Sequence, residues 1–370
     1  MYVVMIKTIL EYQPILFALI LVFTFVQRCR LGALGRVLWT VGLFLCAVKF
    51  VVFEFVGGAA FAPVMPEKLI WIWNIAYSGM CLLLMFSILL FFLPPRVKLA
   101  VLPLLSWGLA AAGVYNGLRV PDIREVELSF ANLPASLDGY RILHITDVHT
   151  SSAATRWRTE AIVEKANAAG ADLIVVTGDL VDGQPVDQAA NLEPLKNLAA
   201  RDGVLHCTGN HEYYSNWPGW KRRYDEWGFR FLDGEWVSPR AGLAVAGVRD
   251  TACGRAGIPV PEVAGAFDGA TNGEFRVLLQ HKPYFDHVKY GKKPLEDFDL
   301  QISGHTHGGV APVMGWLVRT FNNGYLRGVY DLGRGRTMFV SRGAGQWAGF
   351  PIRFFDDSEI TVLVLRRKAD

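Results

Sequence analysis

Four long apolar stretches, roughly residues 9–26, 37–56, 69–93 and 99–118, constrain the folding of this chain more than any other feature. Crossing a bilayer takes about 20 apolar residues, each rising about 1.5 Å along a helix, and every stretch comes near that length. Four transmembrane helices are therefore expected. A cleaved leader is a poor reading of the first stretch, because Glu11 and Pro14 interrupt its start and no small-residue cleavage site follows. The 370-residue chain is 52% hydrophobic, and its mean hydropathy of +0.25 exceeds what a soluble enzyme usually carries.

Charge placement orients these helices. The first loop holds Arg28, Arg30 and Arg36 and the third holds Arg96 and Lys98, whereas the second offers Lys68 offset by Glu67. Cation-rich short loops stay in the cytoplasm, so both termini and everything after residue 118 are expected outside. Lys7 and Glu11 in the N-terminal tail do not oppose this. A formal net charge of +3, with no block of like charge, gives no argument for nucleic acid. Of five cysteines, Cys29, Cys46 and Cys81 lie in or beside the spans. Cys207 and Cys253 could pair in an oxidising compartment, though free thiols are the simpler reading.

From about Asp122 the pattern changes. RILHIT, DLIVVT and VLHCT alternate with helix-like runs, which argues for βαβ units with mainly parallel strands. LAVAGV, FRVLLQ, DLQIS, TMFVS and EITVLVL follow without long helices between them, so a second β layer is expected. The strand ends carry a recurring chemistry. RILHIT leads into Asp147 and His149, DLIVVT into Asp179 and Asp182, and VLHCT into Asn210, His211 and Glu212. FRVLLQ leads into His281 and DLQIS into His305 and His307. One His-x-His would mean little, but an ordered set at successive strand ends points to divalent first-row metals, which imidazole and carboxylate bind together. In an extended backbone, side chains two residues apart share a side, which lets Asp147 and His149 serve one ion.

This set resembles the calcineurin-like metallophosphoesterase superfamily, whose string D-x-H, G-D-x-x-D, G-N-H-[DE], H, G-H-x-H stands here as DVH, GDLVD, GNHE, QHKP and GHTH. The resemblance covers roughly residues 140–365, and GNHEYYS, SGHTHGG and SRGAGQWAGFPIRFFDDSEITVLVL are similar to the membrane-associated bacterial branch. It implies an α/β fold of two β layers flanked by helices over 140–370, while the apolar stretches place a transmembrane domain over 1–118 and leave 119–139 as linker and domain entry. It implies a bacterial inner-membrane setting. It also implies two divalent ions, manganese foremost with iron or zinc as alternatives. One ion would be held by Asp147, His149, Asp179 and His307, the other by Asp179, Asn210, His281 and His305, with a hydroxide between them attacking phosphorus. The shared Asp179 carboxylate would offset the repulsion between two dications. The family gives His211 the role of protonating the leaving oxygen.

Other residues extend the reading. Asp182 is expected to hold His211 or a ligand histidine in place, the alternative being a surface-turn carboxylate. Arg342, after the strand TMFVS, could clamp a phosphate or be an ordinary surface arginine. The loop-like stretch VAPVMGWLVRTFNNGYLRGVY carries Val313, Met314, Trp316, Leu317, Val318 and Phe321, either as core or as a rim that meets lipid. Inside the spans lie Lys49, Glu54, Asn74, Tyr77 and Ser78, polar groups that cost free energy there, although a structural role is the simpler reading. The expectation is a membrane-bound phosphohydrolase or phosphodiesterase acting on a phospholipid or lipid-linked phosphoester. Soluble or cell-wall phosphoesters, or a non-catalytic metal-containing sensor, are the alternatives. Retention of His211 weighs against the sensor, since a structural site needs no acid. A transporter is disfavoured by the lack of paired Gly/Pro-broken helices.

Overall fold

Long apolar runs and short alternating ones sort into different units. The computed structural model describes residues 2–56, 62–259, 265–271, 273–283, 298–349 and 352–368, with the side chains of 2–11, 312 and 313 outside the description. Residues 57–61 of the second loop and the Val313 side chain thus fall outside it. One unit comprises Met1–Leu118 with Trp347–Ile352, the other Arg119–Gln346 with Arg353–Asp370.

In the first unit the apolar stretches are helices: α1 (Tyr2–Leu21), extended by a wider turn over Val22–Val26, α2 (Ala33–Ala47), α3 (Lys49–Phe55), α4 (Glu67–Leu89) and α5 (Pro95–Leu118). α4 and α5 are each long and apolar enough to cross a membrane, and α2 with α3, bent by 50°, adds a third if the pair is one span. The first stretch is shorter, its described apolar part running Tyr12–Val26. Two to three of the four expected spans therefore meet the length requirement among the described residues. The bend falls at Val48, which leaves helical geometry at ψ 7°. Leu21, Phe25, Leu43, Phe50, Met80 and Leu83 form the interior. Gly79 lets α5 approach, since a Cβ there would stand 2.6 Å from Trp107. Leu38, Ile72, Ile88 and Leu104 are exposed. Helices apolar on both the inner and the outer side suit lipid as the solvent.

The second unit holds two six-stranded sheets. In the first the order is β1 (Asp122–Phe130), β12 (Glu359–Arg367), β2 (Arg141–Ile145), β3 (Leu173–Val176), β4 (Val204–His206) and β5 (Arg230–Phe231). β2 to β5 run parallel, while β12 pairs antiparallel with β2 and parallel with β1. The second sheet runs β10 (Gly328–Gly333), β11 (Arg336–Val340), β9 (Leu300–Ser303), β8 (Phe275–Leu279), β7 (Leu243–Gly247) and β6 (Glu235–Arg240), with antiparallel strands at its two edges. Alternate residues face opposite layers. Ile142, Leu173, Val175 and Leu205 meet Val245, Val277, Leu279 and Ile302 in one core. Leu143, Ile145, Ile174 and Val176 pack on the other face, with Ile162 of α6 (Arg156–Ala168) and Trp220 and Tyr224 of α9 (Trp217–Glu226). α7 (Pro185–Leu192) and the short α8 (Asn210–Tyr214) complete the connections on this side.

Two segments differ from the sequence reading. The stretch 119–139, read as linker and domain entry, contains β1, because Leu128 and Phe130 alternate with Glu127 and Ser129 and bury their side chains in the core beside Leu363 and Leu365. The stretch after the last histidines, read as loop-like, contains α10 (Pro312–Phe321). Pro312 at its first position fits a helix start, where no intrahelical N–H is needed.

Candidate metal centre

The strands end where the polar motifs begin, and the backbone there is bent into conformations that L-residues rarely adopt. Asp147 (φ 53°), His149 (φ 48°), Asp179 (φ 52°), His305 (φ 73°) and His307 (φ 49°) all lie in the left-handed region. Such strain persists only where surrounding structure enforces it, and it gathers at functional sites. Close packing is part of the enforcement. A side chain at Gly178 would collide with the Gly209 backbone, and one at Gly304 with Thr146 and Asp147. Glu212 fastens the bends after β3 and β4: its carboxylate accepts the N–H groups of Gly209 (2.7 Å), Leu180 (2.7 Å) and Asp179 (3.0 Å).

These bends bring the motif residues of both sheets together. His307 Nε2 lies 3.5 Å from Asp147 Oδ1 and 3.2 Å from His149 Nε2. Asp179 Oδ2 lies 3.8 Å from His149 Nε2 and 3.1 Å from His281 Nε2. Three groups are able to converge on a cation: Asp147, His149 and His307; His149, Asp179 and His211; and Asp179, His281 and His305. Asn210, at the start of α8, is buried and its Oδ1 has no hydrogen-bond partner.

Hydrogen bonds on the far side of each ring show which nitrogen is bare. His307 Nδ1 faces the Gly345 carbonyl at 3.1 Å, and His281 Nδ1 faces the Thr177 carbonyl at 2.7 Å. A carbonyl only accepts, so both Nδ1 atoms carry a proton, and each Nε2 presents a lone pair whenever its ring is neutral. His149 Nδ1 stands 3.1 Å from Asp182 Oδ1, which fixes the same tautomer. The lone pairs of His149 and His307 therefore point at each other, and that of His281 points at a carboxylate without forming a hydrogen bond. Buried donors arranged like this fit divalent cations.

The local fields tell the same story. Against the downward pull of burial, Asp179 lifts the His281 imidazole to about 10. His211 is likewise lifted to about 9, by Asp179 and Asp182. Burial, then the neighbouring rings, hold His305 and His307 well below the usual imidazole range. Burial opposes ionisation of Asp182, but His149 and His211 override it and hold the carboxyl below its usual range. The pocket thus divides its histidines: His281 and His211 are held protonated by the carboxylates beside them, whereas His305 and His307 stay neutral, and bound dications would take the place of those protons.

His211 sits at the rim, its side chain 18% exposed. Its Nδ1 is 2.6 Å from Asp182 Oδ1, and its backbone N–H donates to Asp179 Oδ1 at 2.8 Å. One oxygen of Asp182 consequently serves both His149 and His211. Arg342 is held by carboxylates, with Nε 3.2 Å from Asp356 Oδ1 and 3.7 Å from Glu359 Oε2. Arg353 escaped the sequence reading. It is fully buried and donates to the carbonyls of His307 (3.2 Å), Gly345 (2.8 Å) and Arg342 (2.7 Å).

Two mixed sheets whose strand ends converge on an aspartate and histidine cluster define a metal-dependent hydrolase. The calcineurin-like phosphoesterase family matches residues 140–309. An uncharacterized metallophosphoesterase of Campylobacter jejuni is 32% identical over 271 residues, which cover 71% of this chain and 68% of that protein. One from Helicobacter pylori strain 26695 is 32% identical over 256 residues, covering 69% of this chain and 67% of its own length. A transmembrane protein with metallophosphoesterase domain from Danio rerio is 29% identical over 269 residues, covering 70% of this chain and 60% of that protein. The chain belongs to the calcineurin-like phosphoesterase family and is a metal-dependent phosphoester hydrolase with membrane helices.

Proposed function

We propose that this chain hydrolyses a phospholipid or lipid-linked phosphoester at a binuclear centre on the outer face of a bacterial inner membrane. One ion, manganese foremost with iron or zinc as alternatives, would be held by Asp147, His149, Asp179 and His307. The other would be held by Asp179, Asn210, His281 and His305. The chemistry such ions supply is an acidified water and charge neutralisation at the phosphoryl oxygens. Asp182 orients His149 and His211 through their Nδ1 atoms, and His211 delivers a proton to the leaving oxygen.

The observation that carries the lipid assignment is the face of α10. Trp316 and Phe321 are each 73% exposed, with Met314 and Leu317 exposed beside them. The helix starts at Pro312, soon after His307, and Gly315 packs on Gly309. Apolar side chains left in water beside a phosphoesterase site suit acyl chains or a bilayer surface. Phe355 adds to this rim: it is exposed, and the N–H of Phe354 before it bonds to Val310.

Mass spectrometry of lipid extracts incubated with the manganese-loaded full chain, against His211→Ala, tests the substrate class. A phosphoester lipid should disappear with the active protein alone. Cleavage of soluble or cell-wall phosphoesters, with every lipid untouched, would overturn the assignment. The outward orientation rests on Arg28, Arg30, Arg36, Arg96 and Lys98. A reporter fused after Asp370 that is active in the cytoplasm would refute it.

A further inference from the structure

Lys49 is 0% exposed inside the apolar helical unit. A buried ammonium there is costly, and apolar residues of the same volume would often pack as well or better. Its solvation shell is therefore informative. Nζ donates to Asn74 Oδ1 at 2.5 Å and to the Gly349 carbonyl at 2.7 Å. The rings of Phe50, Tyr77 and Phe53 stand 4.6, 4.8 and 5.3 Å away and supply favourable faces. Asn74, also fully buried, donates to the carbonyls of Ile70 (2.9 Å) and Ala348 (3.2 Å).

Lys49 and Asn74 thus hold between them the short segment of Ala348 and Gly349, which belongs to the helical unit although Gln346 before it and Arg353 after it belong to the other. The flanks of that segment are the backbone of the metal cluster. Three residues before Ala348, Gly345 donates its N–H to the Asp147 carbonyl at 2.7 Å and accepts from His307 Nδ1 at 3.1 Å. After it, Arg353 holds the carbonyls of His307 and Gly345. The carbonyl that fixes the tautomer of His307 therefore lies on a strand of chain whose next few residues are anchored by Lys49.

We propose that Lys49 and Asn74 are positioning residues for the metal cluster, acting through the backbone of Ala348 and Gly349 to hold Gly345 against Asp147 and His307. The membrane helices then contribute to the integrity of the site as well as to anchorage. This rests on the reading of Asp147 and His307 as metal ligands.

The test uses the full chain in detergent, stripped with chelator and titrated with Mn²⁺ alone, with bound metal read by elemental analysis. Wild type should take up two equivalents. Lys49→Met and Asn74→Ala should bind one ion about tenfold or more weakly, the loss typical when a group that orients a ligand is removed. The measurement is made well below each variant's unfolding midpoint, so that loss of affinity is separated from loss of fold. Variants with lowered midpoints but wild-type affinity for both ions would show a merely structural lysine and overturn the proposal, leaving the metal centre intact. A wild type that binds no Mn²⁺ would overturn the metal-centre reading and this proposal with it. Should Lys49→Met fail to fold, Asn74→Ala decides, since it removes the bond to Ala348 and leaves Lys49 its bond to Gly349.

Discussion

His149 Nε2 and His307 Nε2 face each other at 3.2 Å, and each ring has its other nitrogen committed to Asp182 or to Gly345. Two lone pairs at that separation repel, so the arrangement is stable only with a cation between them or a proton on one ring. Binding to the folded state alone stabilises it by RT ln(1 + [L]/Kd), about 2.7 kcal/mol at a hundredfold excess over Kd. Chelation should accordingly lower the unfolding midpoint, and manganese should restore it. An unfolding midpoint indifferent to both treatments would argue that the cluster binds no metal.

Asp179 belongs to two of the donor groups, one with His149 and His211 and one with His281 and His305. Asp179 stands 3.8 Å from His149 Nε2 and 3.1 Å from His281 Nε2, whereas Asp147 approaches His307 and His149. We expect Asp179→Asn to abolish turnover and most metal binding, and Asp147→Asn to weaken chiefly one ion. Elemental analysis of the purified variants checks this. An Asp147→Asn protein that loses both ions equally would remove the distinction between the two sites.

That these residues gather was legible because each follows an apolar run that reads as a strand, and strand ends of parallel sheets converge. What the sequence could not convey is how the backbone turns there. The left-handed bends fall on Asp147, His149, Asp179, His305 and His307 themselves, although Gly178, Gly304 and Gly308 stand beside three of them. Arg353 was hidden for a different reason: its partners are backbone carbonyls of His307, Gly345 and Arg342, which leave no residue pattern. β1 lies in the stretch taken as linker and domain entry, and only its C-terminal half alternates, with Leu128 and Phe130 buried and Glu127 and Ser129 exposed. The bend at Val48 has neither proline nor glycine to announce it, and with it the inward turn of Lys49 went unseen.

The exposed face of α10 makes a separable prediction. Trp316→Ser with Phe321→Ser removes apolar area from residues that are each 73% exposed and contribute little to the core. Fold, metal content and hydrolysis of a small soluble aryl phosphodiester should be unchanged, while turnover of lipid phosphoesters in mixed micelles should fall severalfold. Assaying the two substrates side by side gives the answer. Equal loss on both would place these side chains in the folding of the site instead of at its lipid-facing rim.

His211 separates chemistry from metal binding. Its Nδ1 is held by Asp182 at 2.6 Å, but Asp182 keeps its bond to His149 at 3.1 Å when the His211 ring is removed. The backbone N–H that His211 donates to Asp179 Oδ1 survives the substitution, so His211→Ala should fold and retain most of its metal. Turnover should nonetheless drop, since assistance by a positioned acid is typically worth about 10²- to 10⁴-fold. The size of the drop should depend on the leaving group. An alkyl phosphoester expels a strongly basic oxygen that needs the proton, whereas an aryl ester expels a stable phenolate and gains little from it. We therefore expect a large deficit on alkyl esters that shrinks towards unity on activated aryl esters, measured as kcat/KM across a leaving-group series. Equal slowing along the whole series, together with reduced metal content, would move His211 into the ligand set and take the acid role away from it.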